Sequence, residues 1–408
     1  MALCIEGNIK EVKRLIASCP DSIFEADKSG MTALWEAVMH GHTQIVETIL
    51  EAAGKDFQKN LIFHKSNACC SCLDFSLLHQ HMEIARLLMK AGGEELVQRH
   101  SEEGTCLHKA CLFGDVNIVR EILRIGGKSL VLKTDFEGAS ALHLASQAGN
   151  LDMVRALIKV GGRDLLFVAS GKSKSAGEGR TCLFVACMRG HFAVVRELLA
   201  SGGEELAGVV GPDGNSCLMV ACQNAHNRAI QELLSGGGRA VRDLLPLRSG
   251  AHNPFHIACY RCSRATVRLL LAAGGDPLLT SVSELGETAL YVASGSGRAD
   301  LVRELLDSGG AKLLMVRTAE GQTCLDAACW GGSLEAVKLL LAAGGRPMVR
   351  LANDEGATCL HHACLSESVS IVEELVTVGG EELLLAHKLN GFTCLHSACA
   401  AGAGYLMS

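Results

Sequence analysis

The stretch Gly104-Thr105-Cys106-Leu107-His108-Lys109-Ala110-Cys111 returns as Gly356-Ala357-Thr358-Cys359-Leu360-His361-His362-Ala363-Cys364 and again as Gly391-Phe392-Thr393-Cys394-Leu395-His396-Ser397-Ala398-Cys399. With the Thr or its replacement as anchor, weaker copies fill the chain: Thr32, Ser71, Thr105, Ser140, Thr181, Ser216, Asn253, Thr288, Thr323, Thr358 and Thr393, mostly 35 residues apart. A second marker, a Gly pair such as Gly126-Gly127 or Gly161-Gly162, follows ten anchors at a distance of twenty-one, weakened to Ala53-Gly54 in the first. A period in this range identifies stacked units, each burying its apolar face on the next. That overrides the usual inference that 408 residues form two or three separate cores.

Each unit reads as two helices. Thr, Ser and Asn accept hydrogen bonds from the free N–H groups of a first helical turn, so every anchor starts a helix. The apolar spacing of Leu325, Ala328 and Cys329 is helical, and a Gly nine residues after the anchor, as at Gly41, Gly114, Gly149, Gly190, Gly297 and Gly332, ends it. A second helix runs through pairs such as Ile118-Val119 and Leu339-Leu340 until the double Gly. Polar turns such as Pro212-Asp213-Gly214 and Asn353-Asp354-Glu355-Gly356 close the unit. The fold class is therefore all-α, a helix-turn-helix solenoid with protruding turns.

These residues resemble ankyrin repeats, whose Thr-Pro-Leu-His-x-Ala signature stands here as Thr-Cys-Leu-His-x-Ala-Cys. The likeness spans nearly the whole chain. Two departures are systematic: the Pro survives only at Pro254, and the period is 35 rather than about 33. The additional residues follow the double Gly, where Leu165-Leu166, Leu278-Leu279, Leu313-Leu314 and Leu383-Leu384 are expected to extend the loop with an apolar turn. The resemblance implies β-hairpin fingers, a concave partner-binding surface, and a structural role for His108, His143, His256, His361 and His396, each bonding the anchor hydroxyl and nearby backbone.

The expected units are a truncated leading repeat at 1–29, then 30–68, a degenerate 69–102, 103–137, 138–178 with a finger insertion, 179–213, 214–250, an irregular 251–285, 286–320, 321–355, 356–390, and a truncated final repeat at 391–408. Leu406 and Met407 fall where core residues belong, which leads to the expectation that the chain is a fragment or truncated product.

Fifteen of nineteen cysteines occupy two repeat positions, one or six residues after an anchor. The two in one unit lie about 140° apart around the helix, and equivalent cysteines of stacked units roughly 8–10 Å apart, so neither a shared metal nor a ladder of disulfides fits. Cys is expected to act as a small buried hydrophobe in a reducing compartment, cytoplasmic or nuclear. A redox role for the first row, at helix N-termini, is the alternative. His256, Cys259 and Cys262 share one helix face and form a candidate zinc cluster lacking a fourth ligand, and Cys69, Cys70 and Cys72 form a second local group.

Chemistry is otherwise absent. Gly171-Lys172-Ser173 fails as a phosphate loop because Leu166 stands where a Gly is required, and it reads as part of the finger insertion. The Glu pairs after the double Gly, such as Glu94-Glu95 and Glu381-Glu382, recur with the repeat and read as solvated surface. A non-enzymatic, monomeric, cofactor-free scaffold for other proteins is expected, with no membrane span, and with nucleic acid an improbable partner at a net charge of −6. Its contact candidates are Trp35, Phe184, Met219, Tyr291 and Trp330, and the acidic tips Asp135 and Asp213. A third set, Arg242, Arg248 and Arg264, lies in a segment from Arg228 to Arg268 that carries +5. Two alternatives stand beside this reading: the recognition arm of a larger kinase- or ligase-type enzyme, and binding of nucleic acid or acidic lipid by the basic segment.

Overall fold

The computed structural model describes residues 2–28, 30–63, 71–101, 103–113, 115–171, 179–211 and 213–404. The expectations attached to Cys69, Cys70, Gly114, the insertion 172–178, Pro212, Leu406 and Met407 lie outside the described residues. Two compact units are formed, one by residues 1–186 with 193–202 and one by 187–192 with 203–408.

Helices come in pairs in both. In the first unit Ala33–Met39 precedes Thr43–Ile62, Cys106–Phe113 precedes Val116–Val131, and Ala141–Ala148 precedes Leu151–Leu166. In the second, Pro254–Arg261 precedes Arg264–Leu279, Ala289–Gly295 precedes Ala299–Asp307, and Cys324–Trp330 precedes Leu334–Val349. Each of these first helices packs on its own second helix, and all but Ala141–Ala148 are also seen to pack on the first helix of the next pair. The all-α solenoid read from the sequence is the fold.

The anchors cap as expected. Thr32, Ser216, Asn253 and Thr288 are extended, and their side chains accept from the backbone N–H three residues on, Trp35, Met219, His256 and Tyr291. The residue two after the anchor, Leu34, Leu107, Leu142, Leu218, Phe255, Leu325 or Leu360, is wholly buried, as is the Ala five after it. On the second helix Ile118-Val119, Met153-Val154, Leu301-Val302 and Ala336-Val337 are buried too. At about 25 cal/mol per Å² these repeated layers are the main favourable term.

The double Gly does not lead into a loop, which corrects one expectation. The second Gly adopts φ +58, ψ −156 at Gly127 and φ +62, ψ −158 at Gly345, a region essentially closed to side chains, and the helix resumes at once for one more turn. The first Gly is required for a different reason. A Cβ at Gly126 would lie 2.4 Å from Leu130 Cδ2, and the leucines of that turn, such as Leu130, Leu165 and Leu278, are buried. The longer period thus adds a third apolar helical turn. Pro277 and Pro347 fit in it because a first turn needs no N–H donor.

The fingers contain very little sheet. His100–Ser101 pairs antiparallel with Gly104–Thr105, and elsewhere single bridges such as Thr134 to Ser140 and Val282 to Thr288 close the turns. Asp135 Oδ1 accepts from the N–H groups of Glu137 and Ala139 at 3.0 and 2.9 Å. Fingers also bond to one another: Ala319 N–H donates to Leu285 O, Asp354 N–H to Glu320 O, and Leu389 N–H to Glu355 O.

The residue three after the anchor joins local and long-range structure. Thr105 N–H donates to His108 Nδ1 at 3.1 Å, so the proton lies on Nε2, which donates to Ala139 O of the next finger at 3.1 Å. His143 does the same toward Arg180 O, and His361 toward Phe392 O. Burial holds all three imidazoles below the ordinary value of 6.5. Asp326 fills the same position differently. Its Oδ2 accepts from the Thr323 N–H and hydroxyl at 2.7 and 2.8 Å, but the buried Oδ1 has no partner, and burial pushes its carboxyl up to about 6.

Three outcomes follow from this geometry. Gly127→Ala should cost about 1–3 kcal/mol in urea unfolding, and a fully stable variant would contradict the account. Lowering pH through 6.5 should reduce the melting temperature, because the unfolded chain takes up protons that buried His108, His143 and His361 refuse. Asp326 acts oppositely: between its ordinary 3.8 and about 6 the unfolded carboxyl ionises first, so stability falls as pH rises. Asp326→His should therefore stabilise the chain at pH 7, by on the order of 1 kcal/mol or more, and a lower melting temperature would contradict it.

Candidate functional site

Residues three and seven after the anchor are four apart, about 40° on the helical wheel, so they share a face but differ in depth by one turn. The set three after the anchor is largely buried. Trp35 is 2% exposed, Phe184 7% and Met219 1%, which corrects their assignment as contact residues: they fill the place that His108 and His143 take elsewhere. Tyr291 is half-buried there, its hydroxyl donating to Gln322 Oε1 at 2.6 Å, and burial pushes its phenol up to about 12.

Seven after the anchor the face is open. Trp330 is 64% exposed, with its ring edge-on to His362 at 6.1 Å, and Tyr260 in the same unit is 58% exposed. In the first unit Met39 and Leu112 hold this position and are exposed as well, joined by Phe113. Of these only Trp330 was expected as a contact. The signal for the others was available: a large apolar residue recurs at a position that buries nothing within the repeat.

The acidic tips have local roles. Besides Asp135, Asp213 accepts from Asn215, through its N–H at 3.1 Å and its side-chain amide at 2.8 Å. The Glu pairs after the double Gly are not merely solvated either. Lys59 reaches Glu95 at 3.0 Å, Lys128 reaches Asp164 at 2.6 Å, and Arg350 pairs with Glu382, linking each third turn to the one before. Exposed pairs of this kind are worth about 0–1 kcal/mol each.

The basic segment does not form one patch. Arg264 and Arg268 both grip Glu304 from the following helix pair, at 2.7–2.9 Å and 2.6–2.7 Å, and together they hold its carboxyl down at about 2, Arg268 contributing more. Arg248 donates to Val282 O at 2.5 Å, Arg239 lies 3.7 Å from Asp243, Arg228 lies over Phe192, and Arg261 over Tyr260. Arg242 is exposed on the short helix Gly238–Asp243. The excess of +5 came from a window that ended before Glu304.

The zinc constellation is likewise not assembled. The helix ends at Arg261, and Cys262 is extended at φ −89, ψ 168, so its thiol leaves the face of His256 and Cys259 and donates to Cys222 O at 3.6 Å. His256 Nε2 donates to Ser281 O at 3.3 Å. Among the described residues no group of three His, Cys, Asp or Glu side chains is placed to hold a metal.

Every described cysteine is a free thiol, and nearly all are buried. First-row thiols donate to backbone carbonyls of the preceding third turn: Cys106 to Val97 O at 3.4 Å, Cys217 to Ala207 O at 3.2 Å, Cys359 to Val349 O at 3.6 Å. Burial pushes Cys182 up to about 12, and Cys106 and Cys324 well above the usual thiol range. In these three the shift runs opposite to the lowering that a reactive thiol at a helix N-terminus would need.

No described helix is long and apolar enough to cross a membrane. Comparison with known protein families matches ankyrin repeats (three copies) at residues 73–166, 163–243 and 255–350, and ankyrin repeats (many copies) at residues 1–50. No match is found among curated proteins. Ankyrin repeats generally mediate protein–protein interaction. With capped helix pairs, linked fingers and family matches over well over half its length, the chain belongs to the ankyrin repeat family.

Proposed function

We propose that this chain is a non-enzymatic, monomeric recognition scaffold acting in a reducing intracellular compartment, which docks a partner protein along the open face of its first helices. The observation that carries this reading is the exposed row seven residues after the anchors. Trp330 and Tyr260 present large apolar area in positions the fold does not use. Aromatic side chains in such positions are the anchors on which interfaces concentrate their binding energy. The free, mostly buried thiols suit a compartment that keeps cysteine reduced.

The rest of the surface supports the same division of labour. Core layers and finger bonds are satisfied within the repeats, so first-helix side chains beyond the finger can vary at little cost to stability. Trp330→Ala and Tyr260→Ala should each weaken capture of a partner, identified by affinity purification and placed by cross-linking, by about tenfold or more. Melting temperatures should stay within a degree or two of the unmodified chain. Unchanged capture by the double variant, or cross-links confined to the second helices, would remove this reading.

A further inference from the structure

Between the first helices Pro254–Arg261 and Ala289–Gly295 lies a cavity of about 340 Å³. Its floor is Ile257 and Val292, its walls are Tyr260 and Tyr291, and its polar rim is His252 and Glu287. Gly295 also lines it, seven after its anchor, where the neighbouring units carry Tyr260 and Trp330.

The rim has an unmet bond. Glu287 Oε2 accepts from His252 Nε2 at 2.8 Å and from the Ser283 hydroxyl at 2.9 Å, while Oε1 takes a hydrogen bond from no described residue. A purely apolar occupant would strip water from that oxygen and return nothing. An occupant with an aliphatic stem and a cationic, hydrogen-donating head satisfies floor, rings and carboxylate together. Arginine does so best, because its flat, weakly hydrated guanidinium stacks on aromatic rings as well as donating to a carboxylate. Tyr260 already shows this preference, with the Arg261 guanidinium 5.7 Å from its ring centre. Exposed Glu284 and Glu320 on the adjacent fingers add to the attraction. The nearby cations are engaged, Arg248 with Val282 O and Arg298 with Cys262 O and Asp300.

We propose that this socket receives an arginine side chain of the partner protein, its methylenes on Ile257 and Val292 and its guanidinium between Tyr260 and Glu287 Oε1. The assignment rests on the recognition reading above and names the partner chemistry that one site would take.

The test is a titration of the full chain, labelled at Ile and Val methyls, with the amides of N-acetyl-arginine, N-acetyl-citrulline and N-acetyl-leucine, followed by NMR. Arginine amide should shift the Ile257 and Val292 methyls with a Kd in the roughly millimolar range. Uncharged citrulline and apolar leucine amides should bind about tenfold more weakly. Glu287→Gln should reproduce that loss. Leucine amide binding as tightly as arginine, indifference to Glu287→Gln, or no methyl shift would each overturn the proposal. If arginine amide fails while Trp330→Ala still weakens partner capture, the socket falls and the scaffold reading stands.

Discussion

The stack depends on the side chain three residues after each anchor. Where it is His, one ring nitrogen accepts from the anchor backbone and the other donates to the next finger, as in Thr105, His108 and Ala139. A single imidazole therefore caps its own helix and sets where the following finger begins. Both bonds are buried, so each is expensive to lose and hard for water to replace. Exposure then rises toward the last turn of the helix, as at Met39, Leu112, Tyr260 and Trp330. Replacements at this site keep one half of the function. Asp326 retains the cap and leaves Oδ1 unpaired, whereas Trp35 and Met219 give up the side-chain bond and fill the same volume with apolar surface.

This explains how far the fold and the site could be read from the residues. The histidine role came from the resemblance to ankyrin repeats, whereas anchors, helix pairs and the double Gly follow from local chemistry with a fixed period and are legible in one dimension. The third helical turn was not, because Gly followed by Leu-Leu fits both a loop and a kinked helix until φ and ψ are known. The contact residues were harder still. Trp35, Phe184, Met219 and Trp330 look alike as large side chains on first helices, and what separates them is burial, complete or nearly so for the first three and slight for Trp330, which depends on neighbours distant in sequence.

The same distance effect governs charge and sulfur. Glu304 neutralises Arg264 and Arg268 from 40 and 36 residues downstream, so a local charge count cannot find it. The thiol of Cys329 meets that of Cys359, and Cys364 meets Cys394, so it is the second row of one unit that approaches the first row of the next. Comparing equivalent rows alone overlooks those contacts. Nor does volume alone explain the first row: a weak S–H donor reaching Val97 O or Val349 O gives Cys something Ala lacks, without the desolvation cost of a serine hydroxyl.

Stability and the proposed recognition role thereby fall on different positions of a single helix. Position two buries leucine, position three caps or fills the core, position five is too crowded for more than Ala or Ser, and position seven is exposed at Met39, Leu112, Tyr260 and Trp330. A residue there can be Met39, Leu112, Tyr260, Gly295 or Trp330 while the layers beneath stay unchanged. Large side chains at that position stand out from the first helices, and the fingers add polar groups beside them, as Glu287 and His252 do in the cavity that Tyr260 also lines.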